Sequence, residues 1–141
     1  MLCHLQTRAN EKIRAAAACL GAAYKMAPDY ARDEKESVEC YARARRGLED
    51  ASTAICAADD SAAVLAAAAR GVAAGDYANR IAHGLWRAAG ARYPLNAELS
   101  WDEYFRDAAE TAWSARQFCE YLLDAFSAPE YMTSPLERYG K

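Results

Sequence analysis

Histidine is nearly missing from this chain: His4 and His83 are the two in 141 residues. Neither has a glutamate three positions before it, which excludes the Glu-x-x-His metal sites that helical bundles build on facing helices. Five cysteines are present, Cys3, Cys19, Cys40, Cys56 and Cys119, an odd number with no Cys-x-x-Cys pair. A disulfide framework or a zinc site is therefore not expected. Cys40 and Cys56 fall on one expected helix, where their spacing means roughly 24 Å of rise, far beyond bonding reach. Reduced thiols packed as small apolar residues in a cytoplasmic protein are the expectation.

Long apolar runs are also missing. No segment approaches the eighteen or so residues of a membrane span. The stretch "AAAACLGAA" at 15–23 comes nearest to a signal-peptide core, but Glu11 interrupts its basic flank. Ile13, Ala17, Leu20 and Tyr24 moreover recur there at the spacing of an amphipathic helix. A phosphate-binding loop is lacking too, since Gly71-x-x-x-Gly75 is not followed by Lys-Ser or Lys-Thr. Excess positive charge is absent, with 17 Lys and Arg against 20 Asp and Glu and a net charge of −3. Nucleic acid is thus a disfavoured partner, because non-specific affinity depends on cations neutralising phosphates.

What the chain does have is alanine and helical period. Its apolar fraction of 53% is alanine-rich, and a single methyl contributes little transfer energy, so stability must come from close helix contact as well as from bulk. A first helix over about 8–26, capped near Thr7 or Asn10, should bury Ile13, Ala17, Leu20 and Tyr24 and end before Pro28. A second, after Asp29 and running to about Ala57, carries Val38, Tyr41, Ala44, Leu48, Ala51 and Ile55 inward. Asp59 and Asp60 offer caps for the next helix, in which Ala67, Gly71 and Gly75 form a strip that lets a neighbouring backbone come close. Gly75 and Asp76 read as a stop and a new cap, with one helix over 60–92 as the alternative. In the following segment Tyr77, Ile81, Leu85 and Ala88 form the expected core stripe. The last helix has the clearest start, a capping box of Ser100 and Glu103, and a seam of Phe105, Ala108, Ala112, Ala115, Cys119, Leu122 and Phe126. Residues 129–141, with Pro129 and Pro135, read as an extended tail. The expected fold is an all-α, antiparallel bundle of four to five helices over 1–128, one domain.

Candidate chemistry is sparse. His83 falls nearly opposite the Tyr77 stripe, and Asp76, the nearest carboxylate on its side, is two turns away at roughly 10 Å, too far to orient an imidazole. Cys19 and Cys119 lie in apolar settings that keep a thiol protonated. The basic run "YARARRG" at 41–47 could meet phosphates, but Glu39, Glu49 and Asp50 surround it. Two patches carry the aromatic and guanidinium groups that anchor interfaces: Arg80, His83, Trp86 and Arg87, and the off-seam stripe Trp113, Gln117 and Tyr121. The sequence reads as a non-enzymatic, cytoplasmic, bacterial or mobile-element protein that binds another protein, as inhibitor, immunity factor, adaptor or assembly subunit. Homodimerisation is compatible with this, and no cofactor or metal is expected. The alternatives are a small helical enzyme or ligand carrier using His83 with groups from other helices, and nucleic-acid binding through helix arginines.

Overall fold

The computed structural model describes residues 3–26, 35–92 and 100–127. They form four helices: α1 (His4–Met26), α2 (Lys35–Ala57), α3 (Ser61–Arg92) and α4 (Ser100–Phe126), with no strand among the described residues. Helix α1 packs on α2 and α4, and α3 packs on the same two neighbours. Gln6 meets the chain at residues 55 and 58, Gly47 lies opposite Ala74, and Asn79 lies opposite Ala109. Successive helices therefore run antiparallel, and the chain is the all-α bundle that the periodicity predicts. The tail from 129 onward and the side chains of Val38, Leu85, Ala88, Ser100 and Glu103 lie outside the described residues.

Helix α1 starts earlier than Thr7 because Cys3 and Gln6 make its cap. The Cys3 N–H donates to Gln6 Oε1 at 3.2 Å, and the Gln6 N–H donates to Cys3 Sγ at 3.4 Å. This is a capping box with a thiol in the place of the usual hydroxyl. The other end of the Gln6 amide reaches the neighbouring helix, where Nε2 donates to the carbonyls of Ile55 and Ala58, each at 3.2 Å. Ile55 is in the last turn of α2, where helical carbonyls lack a partner in their own helix, and Ala58 directly follows that helix. With Gln6 only 4% exposed, the same side chain starts one helix and satisfies the end of the next. Asn10, the other expected cap, sits inside α1 and pairs instead with the Ser52 hydroxyl of α2. At the start of α3, Asp60 caps as expected, its Oδ1 accepting the Ala63 N–H at 2.8 Å.

Alanine supplies 16 of the 25 fully buried apolar residues described, so the helices must approach closely to leave no voids. The closest approach is between α3 and α4. A Cβ on Gly75 would stand 2.9 Å from both the Arg116 backbone nitrogen and the Arg116 Cβ, and one on Gly71 would collide with Cys119 Sγ. The strip of Ala67, Gly71 and Gly75 thus serves as the packing surface the sequence predicts. Gly75 and Asp76 do not divide the segment, however, and Ser61–Arg92 is one helix. Its buried row is Gly71, Gly75, Ala78 and Ala82, while Tyr77 and Ile81 are half-buried. The expected core stripe is therefore rotated toward α4, because the small side chains, rather than the large ones, permit the contact.

The α2 and α4 seams follow their predictions closely, and the α1 seam in part. Phe105, Ala108, Ala112, Ala115, Cys119 and Leu122 are buried along α4, with Phe126 partly so. Ile13 and Leu20 are buried in α1, where Ala9, Ala16 and Ala23 complete the core row. The expected Ala17 is half-buried because the row steps by three and four from Ile13 to Ala16 and Leu20. Ala44, Leu48, Ala51 and Ile55 are buried in α2. Tyr24 and Tyr41 are half-buried rather than core. They stack on one another across α1 and α2, centroids 4.2 Å apart and planes 13° from parallel.

Candidate functional site: the outer face of α4 and its groove with α3

Helix α4 faces the core with alanine, cysteine and leucine and presents Trp113 and Tyr121 on its other side. Trp113 is 48% exposed, Tyr121 39% and Tyr104 38%, and these are the exposed large apolar residues of the described chain. Burial of the seam dictates this placement: with Ala112, Ala115 and Cys119 turned inward, the 100° step per residue carries 113, 117 and 121 outward. Gln117 is exposed between the two rings, as the stripe predicts.

Trp113 is exposed but held. The Arg116 guanidinium lies 5.0 Å from its ring centroid, a cation–π arrangement. Arg116 is itself fixed by Asp76 of α3 (Nη1 to Oδ1, 2.8 Å) and by Glu120 one turn on (Nε to Oε1, 3.2 Å). Asp76 also takes Arg80 at 3.3 Å. The four charges form a chain across α3 and α4 that ends under the indole. Isolated surface pairs contribute little, but a shared network fixes geometry with less loss of side-chain freedom per bond. Tyr121 is braced from the other side by Phe118, edge to face at 5.4 Å. Arg8 and Lys12 of α1 stand 5.4 and 5.5 Å from the Phe118 centroid.

Beside Trp113 a groove of about 450 Å³ opens between α3 and α4, lined by Asn79, His83, Arg106, Ala109, Glu110, Trp113 and Ser114. Asn79 donates to the Ala109 carbonyl at 2.8 Å and ties the two walls together. His83 is half-buried in this groove, a consequence of the rotation of α3 toward α4. The structure thus brings His83 and Trp113, from separate predicted patches, to one lining. Arg80 is turned to Asp76 on the outer side of α3. The side chains of Trp86 and Arg87 lie outside the described residues. Glu110 and Arg106 are lining members that sequence reasoning does not find. Their spacing from Trp113 is helical, but nothing in the sequence of α4 says which part of α3 faces them.

The remaining chemistry is quiet. All five cysteines are free, and Cys119 is buried. Burial pushes its thiol from an ordinary value of 9.0 up to about 12, with the Glu120 charge adding to the shift. Among the described residues no three His, Cys, Asp or Glu side chains converge as metal ligands, and no helix is long and apolar enough to cross a membrane. The arginines of 41–47 separate onto different faces: Arg45 bonds the Tyr41 hydroxyl at 3.0 Å and Glu49 at 3.1 Å, while Arg43 lies 6.0 Å from the Tyr77 centroid. Comparison with protein-family models, curated proteins and solved structures found no match.

Proposed function

We propose that this protein is a non-enzymatic binding module that engages another protein through the outer face of α4 and the adjoining groove. It is of the inhibitor, immunity-factor, adaptor or assembly-subunit kind and works in the cytoplasm of a bacterium. The observation that carries the reading is Trp113: a large ring half in solvent, fixed by Arg116, which is pinned in turn by Asp76 and Glu120. A ring already held in place loses little freedom on docking, which is what an interface anchor needs. His83, from the α3 patch expected from the sequence, lines the same groove.

The test is affinity capture with the wild-type chain and with Trp113→Ala/Tyr121→Ala. Both positions are exposed, so the variant should keep its circular dichroism and melting temperature. A protein retained by the wild type and lost from the variant is the expected result. Equal capture by both overturns the reading.

A ligand-carrier or enzyme reading has one specific support, the presence of His83 and Glu110 in a single groove. It requires that His83→Ala abolish function while Trp113→Ala leaves it intact, the reverse of the pattern expected for a docking face.

A further inference from the structure

A second groove lies between α2 and α3, on the side of α3 away from Trp113. Its volume is about 540 Å³, its floor is Ala44, Gly47, Ala73 and Ala74, and Arg43, Asp50, Arg70 and Tyr77 form its walls. The charge here runs against that of the whole chain. The walls carry two guanidiniums against one carboxylate in a protein of net charge −3. Arg70 and Asp50 make no ion pair among the described residues, whereas Arg45, Arg80 and Arg116 are all paired. Arg43 lies against the Tyr77 ring and extends the cationic wall along the groove.

Gly47 gives an independent indication. Glycine inside a helix costs about 1 kcal/mol relative to alanine, and at Gly71 and Gly75 the closeness of α4 explains it. At Gly47 no such reason exists, because an added Cβ would sit 3.6 Å from the Ala74 methyl in ordinary contact. The effect of the missing methyl is to lower the groove floor.

We propose that this groove docks an acidic, amphipathic segment of a partner protein. Its small apolar side chains would rest on the alanine floor, and its carboxylates would meet Arg43 and Arg70. Carboxylate pairing to guanidinium is favoured by the fork geometry of arginine, and the methyl-lined floor has no counterpart in a phosphate backbone. The surface is distinct from the α4 face, so the two can fail separately.

The experiment uses a fluorescein-labelled helical peptide of about four turns, alanine on one face and glutamate on the other. Its lysine counterpart and a single-stranded DNA oligonucleotide of similar length serve as controls. Anisotropy and amide chemical-shift mapping on the full chain should place the glutamate peptide on α2 and α3. Arg43→Glu/Arg70→Glu should weaken it by about tenfold or more. Gly47→Leu should block it by filling the floor, while Gly47→Ala should raise the melting temperature and weaken binding. Trp113→Ala/Tyr121→Ala should leave binding unchanged. Absence of binding at peptide concentrations up to about 1 mM, the weak end of specific affinity, overturns the proposal. So does equal binding of the lysine peptide, indifference to the arginine reversal, or tighter binding of the DNA.

Discussion

Replacing Gly75 with alanine isolates the contact on which the bundle depends. Helix propensity alone favours the change by about 1 kcal/mol. Against it, the new methyl would meet the Arg116 backbone nitrogen and Cβ at 2.9 Å and the Ala112 carbonyl oxygen at 3.0 Å. Backbone atoms cannot rotate aside as a side-chain tip can, so α3 and α4 must separate. Overpacking of this kind costs about 1–3 kcal/mol. The separation also strains the Asn79 bond to Ala109 and the Asp76 pair with Arg116, worth about 1 kcal/mol each. The net expectation is a loss of about 1–3 kcal/mol. Gly84→Ala is the matched control: it lies in the same helix, and a Cβ there meets nothing within 4 Å, so it should gain about 0.5–1 kcal/mol from propensity alone. Urea unfolding followed by circular dichroism should place the two variants about 2–4 kcal/mol apart on opposite sides of the wild type, roughly 10 °C in melting temperature for a chain of this size. Equal stability of the two would refute the close α3–α4 approach.

Three further outcomes follow from the same packing. Gly71→Ala should also destabilise, but Cys119→Ala should relieve it in part, because the nearest obstacle there is Sγ rather than backbone; a double-mutant cycle in urea reads the coupling. Gln6→Met keeps the volume and leaves the Ile55 and Ala58 carbonyls without their donor, so thermal unfolding should register a loss of about 1–3 kcal/mol, and a change near zero would mean that water replaces the amide. Cys119 has a folded-state pKa raised from 9.0 to about 12; its contribution is complete below pH 9, where both states hold the proton, and falls as pH rises toward 12, because only the unfolded thiol ionises. Between these limits urea stability should drop by about 1.4 kcal/mol per pH unit more in the wild type than in Cys119→Ala, and the native Cys119 thiol should resist alkylation while exposed Cys56 reacts.

Elements with strong apolar period are legible in the sequence. The α4 seam from Phe105 to Leu122 is buried as its spacing predicts, and Trp113, Gln117 and Tyr121 turn outward, because both follow from one helix alone. The core face of α3 is not legible in the same way: ranking larger side chains inward selects Tyr77 and Ile81, whereas the glycine–alanine row wins when two backbones can touch. The cap of α1 escapes the usual signals because cysteine is not counted among capping residues, although Gln6 three positions later carries half of the pattern. Which helices share a groove is a tertiary fact, so the meeting of His83 with Glu110 and Trp113 has no local trace. Arg116 can be paired with Glu120 from its spacing, but not with Asp76 across the bundle.

The reading of α4 as a docking surface is tested most directly by placing a photoreactive phenylalanine analogue at position 113, 121 or 18 and irradiating the native cells. Ala18 is exposed on α1 and lines neither groove. Positions 113 and 121 should yield an adduct of one shared mass that position 18 does not. No adduct from 113 and 121, or the same adducts from all three, would contradict the account.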